Sequence, residues 1–244
     1  MTNFEDPAFY GERWAQVYDP VHWDHYPEPA VEFLAKLAPN SSALEFGIGT
    51  GRVALPLSEA GLRVQGVDVS EPMVQQLRAK PGGAAIPVTI GDWATLSLPD
   101  RFDLVYLVFN AIFCALTPAE QVAALRSAAR HLADGGAVVL ECFVPDPGRF
   151  DRGQRVHILE LSEDVLIVEY SVHDPVAQRI NTQLVNFTGG RAELGPLAIR
   201  YSWPSELDLM AELVGLTLAH RYGDWDRRPF DAGSTKHVSV YRKA

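Results

Sequence analysis

The chain has 244 residues, 47% hydrophobic and 21% charged, an ordinary composition for one sizeable α/β domain. Its net charge of −10, with no lysine/arginine cluster, argues against nucleic acid or another acidic polymer as partner. No apolar run reaches the roughly 18 residues of a membrane span, the acidic and aromatic start "MTNFEDPAFYGERW" has no signal-peptide core, and Cys114 and Cys142 form neither a disulfide framework nor a C-x-x-C metal pair; no membrane and no metal are expected, and a cytoplasmic location.

From about residue 29 to 143, buried strands alternate with amphipathic helices. "PAVEFLAKLA" has helical spacing, and "SALEFG" is a short apolar strand. "RVALPLSEAG" reads as a helix stopped by Gly61. "LRVQGVDV" is a strand, after which Ser70 caps a helix with an early Pro72. "AIPVTIGD" and the almost continuously apolar "FDLVYLVFN" are strands of the kind covered on both faces. "TPAEQVAALRSAARHLADGG" is a helix capped by Thr117 and ended by glycines, with His131 complementing its dipole, and "GAVVLECFV" is a fifth strand. This rhythm predicts a parallel, doubly wound sheet. It breaks at "PDPGRFDRG". The segments "RVHILELS", "VLIVEYSVHD", "QRINTQLVNFTGG" and "LAIRYSWP" follow with strand-like composition and no helix between them, which predicts an antiparallel meander over about 150–203, inserted as a cap. A helix, "PSELDLMAELVGL", and two strands, "TLAHRYG" and "KHVSVYRKA", close the chain.

The chemistry sits in "ALEFGIGTGRVALPL". Gly47, Gly49 and Gly51 occupy alternate positions after a strand, where a backbone without Cβ atoms can approach a ligand. The third glycine of the dinucleotide pattern G-x-G-x-x-G is replaced by Arg52. Asp68 ends the second strand about 20 residues on, a place from which an acid accepts ribose hydroxyls. Glu45 would repel a pyrophosphate and favour a cation. Ribose, no phosphate and positive charge describe S-adenosyl-L-methionine.

Glu45-Phe46-Gly47-Ile48-Gly49-Thr50-Gly51 resembles motif I (acid-x-Gly-x-Gly-x-Gly) of the class I S-adenosylmethionine-dependent methyltransferases. "GVDVSEPMV" is similar to the second motif of that family, "IGDWATLSL" to the third, and "RFDLVYLVFNAIFCALT" to its fourth strand and following loop. The resemblance covers about 40–143 well, 204–244 moderately and 150–203 barely. It implies a Rossmann-like seven-stranded sheet with its last strand antiparallel and an inserted antiparallel β cap, as in glycine and nucleotide-aminosugar N-methyltransferases. It implies that Asp68 holds the ribose with Val69 beside it, that Met73 touches the adenine, that Asp92 takes the adenine amino group with Trp93 beside the ring, and that Val108, Phe109 and Asn110 lie near the methionine moiety. It further implies that residues 1–28 form a helical lid whose Tyr18, and less strongly Tyr26, approach the sulfonium.

The expected reaction is in-line methyl transfer to an N, O or C atom of a small molecule of secondary metabolism, catalysed mainly by alignment and leaving S-adenosyl-L-homocysteine. The acceptor atom is open. An amine needs no strong base, whereas a hydroxyl does; the candidate bases are His22, His25, His157 and His173. Tyr170, Phe187, Arg200, Tyr201 and Trp203 are candidates to line the acceptor pocket or to form the cap's own core. Alternatives are methylation of a protein or peptide, a non-catalytic nucleoside-binding regulatory domain, and a nicotinamide-dependent oxidoreductase, the last opposed by Glu45 and Arg52. The oligomeric state is open, with a homodimer among the options.

Overall fold

The computed structural model describes residues 7–15, 18–19, 28–38 and 41–243. Its main sheet has seven strands: β1 (Ser42–Phe46), β2 (Arg63–Asp68), β3 (Val88–Ile90), β4 (Phe102–Leu107), β5 (Leu132–Phe143), β10 (Leu216–Tyr222) and β11 (Lys236–Lys243). Their spatial order is β10-β11-β5-β4-β1-β2-β3. β1 to β5 are mutually parallel, and β11 runs antiparallel to both neighbours. Helices α1 (Pro7–Trp14), α2 (Glu28–Ala35), α3 (Ala54–Glu59), α4 (Glu71–Ala79), α5 (Pro118–His131) and α6 (Pro204–Glu212) complete the domain. Among the described residues no helix is long and apolar enough to cross a membrane.

The pattern of β4 explains the layering. All six of its residues are buried. Phe102, Val105 and Leu107 join a core with α5 and α6, while Leu104 and Tyr106 join a second core with α2 and α3. A strand sandwiched in this way needs apolar side chains at both parities. The same parity places Glu45, which pairs in register with Tyr106, on the second face beneath the glycine turn.

Two boundaries differ from the sequence expectation. Helix α5 has the Thr117–Glu120 capping box, but it ends at His131, before Gly135 and Gly136. Leu132, fully buried, turns extended and pairs with Phe102, so tertiary pairing rather than glycine ends the helix. His131 is no dipole-complementing cation. Its Nε2 accepts from the Leu98 N–H (2.9 Å) and its Nδ1 lies 2.7 Å from the Ser127 carbonyl, a pair of partners that only the neutral ring satisfies. Burial accordingly lowers its pKa.

The second sheet is the expected meander of β6 (Gln154–Leu161), β7 (Val165–Asp174), β8 (Arg179–Thr188) and β9 (Arg191–Arg200), in that order. β9 starts six residues before the apolar run that signals it in sequence. Gly189 (φ 58°) and Gly190 (φ 77°) form a two-residue hairpin turn. That turn pairs Thr188 with Arg191 and draws polar "RAELGP" into the ladder. Helix α1 touches both α4 and β9, and the Trp14 ring lies against Gly195.

A Cβ at Gly66 on β2 would lie 2.7 Å from the Cβ of Ile48 and 2.3 Å from its Cδ1. Gly66→Ala is therefore expected to destabilise the fold by about 1–3 kcal/mol through overpacking, measured by urea denaturation; an unchanged midpoint would show that Ile48 can move aside.

Candidate active site

The C-terminal ends of β1, β2, β4 and β5 meet the second sheet at a cavity of about 420 Å³. On the main-sheet side, Gly47 (φ 77°), Gly49 (φ 52°) and Gly51 (φ 78°) are all left-handed, a conformation open to glycine at little cost. Space matters as well: a Cβ at Gly51 would lie 2.3 Å from Leu77 Cδ1. The turn is anchored by the Gly47 N–H donating to the Val67 carbonyl (2.8 Å). The Gly49 N–H donates to Asp68 Oδ2 (2.7 Å), and the Ser70 N–H donates to Asp68 Oδ1 (2.8 Å). Asp68 thus ties both binding turns together, with the Val69 N–H adding to the pull on its carboxylate. Burial raises its pKa against the pull of those N–H groups.

Glu45 is 3% exposed. The Tyr106 hydroxyl donates to its Oε2 (2.9 Å). Desolvation nevertheless pushes the Glu45 pKa up to about 8, opposed by Tyr106 and Arg52 and reinforced by Asp68. The Arg52 charge only partly offsets that desolvation, so a further cation beside Glu45 would favour its carboxylate.

Val108, Phe109 and Asn110 form the loop after β4. Phe109 (φ 53°) and Asn110 (φ 64°) are successive non-glycine residues in left-handed conformation, each strained by about 1–3 kcal/mol. β5 holds them in place: Glu141 Oε2 accepts from the Phe109 N–H (2.9 Å), and Asn110 Oδ1 accepts from the Phe143 N–H (2.7 Å). The Trp225 indole N–H donates to the other Glu141 oxygen (3.2 Å). Trp93 stacks on Phe46 (6.2 Å, 16°) with its ring edge beside Gly47.

Of the sequence-expected residues, Tyr18, Glu45, Gly47, Gly49, Asp68, Val69, Met73, Trp93, Val108 and Asn110 all line the cavity. Gly51 supports the turn from behind. Asp92 does not line it: the carboxylate is exposed and accepts from the Ala94 N–H (2.8 Å). The segment carrying Tyr18 is fastened at Asp19, which accepts from the Thr50 hydroxyl (2.6 Å) and pairs with Lys80 (2.6 Å). Tyr18 keeps its proton, burial pushing its pKa up to about 12. His22, His25 and Tyr26 lie outside the described residues.

The second sheet corrects several expectations. His157 is exposed on β6, outside the cavity. His173 is buried, stacked on Phe150 (4.5 Å) and 3.0 Å from the Tyr201 hydroxyl, with its pKa lowered by desolvation; it braces the base of the cap and does not reach the cavity. Tyr170 and Phe187 point outward because the register of β7 and β8 places Glu169, Ile180 and Thr182 inward. Arg200 is buried against Gln121, Ser202 and Gln178, Tyr201 lies in the core, and Trp203 is exposed. The side of the cavity facing the glycine turn is instead lined by Phe143, Arg149, Arg155, Glu169, Ile180, Thr182 and residues 196–199. No sequence signal marks the inward parity of these strands. Arg52, whose guanidinium lies 4.8 Å over the Phe109 ring, was equally missed as a lining residue.

Residues 43–136 match the methyltransferase domain family model. Over 98% of its length the chain is 30% identical to the cypemycin N-terminal methyltransferase of a Streptomyces species, of which it covers 99%. It superimposes on the CcbJ methyltransferase of Streptomyces caelestis with a TM-score of 0.91 at 40% identity, covering 98% of this chain and 99% of that one. It is also 28% identical, over 75% of the chain and 81% of the relative, to the dTDP-4-amino-2,3,4,6-tetradeoxy-D-glucose N,N-dimethyltransferase of Saccharopolyspora spinosa. The chain belongs to the S-adenosylmethionine-dependent methyltransferases, and S-adenosylmethionine is its cofactor. The site fits that molecule: left-handed glycines leave room for it, two buried carboxyls face a single cavity, and desolvation leaves one of them, Glu45, more in need of positive charge than Arg52 supplies.

A cationic ligand beside Glu45 favours the carboxylate over the carboxylic acid. Binding of S-adenosylmethionine is therefore expected to strengthen from pH 6 to about 8, where the free protein deprotonates, by up to about tenfold per pH unit, with release of a proton. Calorimetry in buffers of different ionisation enthalpy measures both quantities. Glu45→Gln should flatten the profile, and a flat wild-type profile would remove Glu45 from the cation's surroundings.

Proposed function

We propose that the chain methylates an amine nitrogen of a small molecule, with alignment rather than base catalysis carrying the rate. The observation behind this reading is the set of ionisable groups in the cavity. Among the described residues no histidine lines it. Tyr18 and Cys114, raised by burial to about 12 and about 11, hold their protons at neutral pH, and the three carboxyls of the cavity are already engaged: Glu45 by Tyr106, Asp68 by two backbone N–H groups, and Glu169 by Ser171 and Arg155. An amine that has lost its proton attacks without help, whereas a hydroxyl needs a positioned base. The relatives support the choice, being named for an N-terminal and an N,N-dimethyl transfer.

When bound, S-adenosylmethionine supplies a methyl carbon activated by a positively charged sulfur. In this reading Asp68 accepts its ribose hydroxyls with Val69 and Met73 alongside, Trp93 flanks the adenine, and Glu45, Val108 and Asn110 receive the methionine end. Residues 1–28 serve as the lid, a role supported by Tyr18 in the cavity wall and by the Asp19 bonds to Thr50 and Lys80. The two cysteines, free in the structure, are in keeping with a cytoplasmic setting. A second reading, methylation of a peptide N-terminus, is favoured by the name of the full-length curated relative.

The test is turnover of isotopically labelled cofactor with matched acceptors: a small secondary amine, the corresponding alcohol and a short peptide. Amine turnover that rises with pH through the acceptor's own pKa, with the alcohol inert, is expected. Methylation of the alcohol alone would overturn the reading, and turnover of the peptide alone would move it to the second.

A further inference from the structure

The wall that the second sheet presents to the cavity is mostly apolar, with Ile180, Leu197, Ala198 and Ile199 among its residues, and Phe143 at the end of β5 adjoins it. Three charged side chains line the same side of the cavity: Arg155 and Glu169 from the second sheet and Arg149 from the segment that leads into it. The Arg149 guanidinium is held over two aromatic rings, 5.0 Å from the centre of Phe150 and 5.6 Å from that of Phe143, and it has no carboxylate within ion-pair distance among the described residues. Arg155 reaches Glu169 only at 4.0 Å, the outer limit of an ion pair. Glu169 also accepts from the Ser171 hydroxyl (3.3 Å). Two positive charges therefore face one negative charge, and the two arginines repel each other: burial, followed by the nearby Arg155, lowers the Arg149 pKa.

The chain as a whole carries −10, so a pair of arginines on one side of the cavity stands out against the sign of the molecule's net charge. A guanidinium presents its N–H groups in a planar fork that matches carboxylate and phosphate oxygens. One already fixed by ring stacking loses little freedom on binding. From this arrangement we infer that the acceptor is an anionic amine, carrying a carboxylate or phosphate group that Arg149 and Arg155 seat against the cap while its nitrogen faces the methyl donor. Glu169 keeps Arg155 extended into the cavity and limits the surplus to one charge. This rests on the amine-methylation reading and narrows it to a substrate class.

The full chain, saturated with S-adenosylhomocysteine, is titrated calorimetrically with phenyl phosphate, phenylacetate and the neutral methyl phenylacetate. At least one anion should bind about tenfold or more tightly than the ester, the loss expected for a charge-assisted hydrogen bond, and added salt should weaken only the anions. Arg149→Gln and Arg155→Gln should each remove most of that preference with the affinity for S-adenosylhomocysteine unchanged, which also shows that the variants are folded. Glu169→Gln should strengthen anion binding. Preference for phenyl phosphate identifies a phosphate ester acceptor, and preference for phenylacetate a carboxylate. Equal affinities, no binding by any of the three, or a preference that survives both arginine variants would overturn the inference. Failure to bind S-adenosylhomocysteine would instead strike the methyltransferase site, and an anion preference without amine turnover would strike the amine reading alone.

Discussion

A carboxyl group buried one residue before a glycine turn sets the terms for this molecule. Glu45 is almost wholly removed from water and has one protein hydrogen bond, from Tyr106, among the described residues. Burying a charge with little compensation is costly; Tyr106 and the Arg52 charge offset part of that cost, and the remainder raises the pKa of the group to about 8. The arrangement requires Tyr106 opposite Glu45 in register, hence β1 beside β4, and a strand that tolerates a tyrosine in its interior. It also requires the turn above to be free of side chains. The left-handed Gly47 and Gly49 supply that, and Asp68 locks Gly49 to the end of β2.

Strain is concentrated on the opposite lip. Phe109 and Asn110 are both left-handed without being glycine, and three hydrogen bonds from β5 hold them there: two backbone N–H groups to Glu141 and Phe143 to the Asn110 side chain. Glu141 is also the anchor for Trp225 in the segment between β10 and β11. The C-terminal strand pair, far from the glycine turn in sequence, is in this way part of what keeps the loop in shape.

Most of the donor half could be read from sequence because its signals are local. Glycines at fixed offsets, an acid at a strand end and the Ser70 cap each act within a few residues, and all lie where expected. The acceptor half could not, because it depends on strand parity. In β7 the apolar set Val168, Tyr170 and Val172 has the stronger claim to the interior by hydrophobicity, yet Glu169, Ser171 and His173 face inward. A shift of one residue exchanges the two faces, and here the interior is a polar-edged cavity, so the usual apolar-inside rule gives the wrong face. That is why aromatic residues such as Tyr170 and Phe187 looked like pocket residues and Arg155 and Glu169 did not. His173 was misread for a related reason: its partners, Phe150 and Tyr201, come from segments distant in sequence.

The cavity's two walls belong to different sheets. Among the described residues, the loops at their seam (108–110 and 145–153) and the segment of Trp14 and Tyr18 are shared between them. Exchanging inward residues of β6 to β9 would leave the glycine turn, Asp68 and Glu45 untouched. Such a division makes the protein modular in the engineering sense: a library confined to the inward positions of the meander other than Ile167 and Leu184, which pack with Trp14 and Tyr18, would vary one wall of the cavity and leave the other in place.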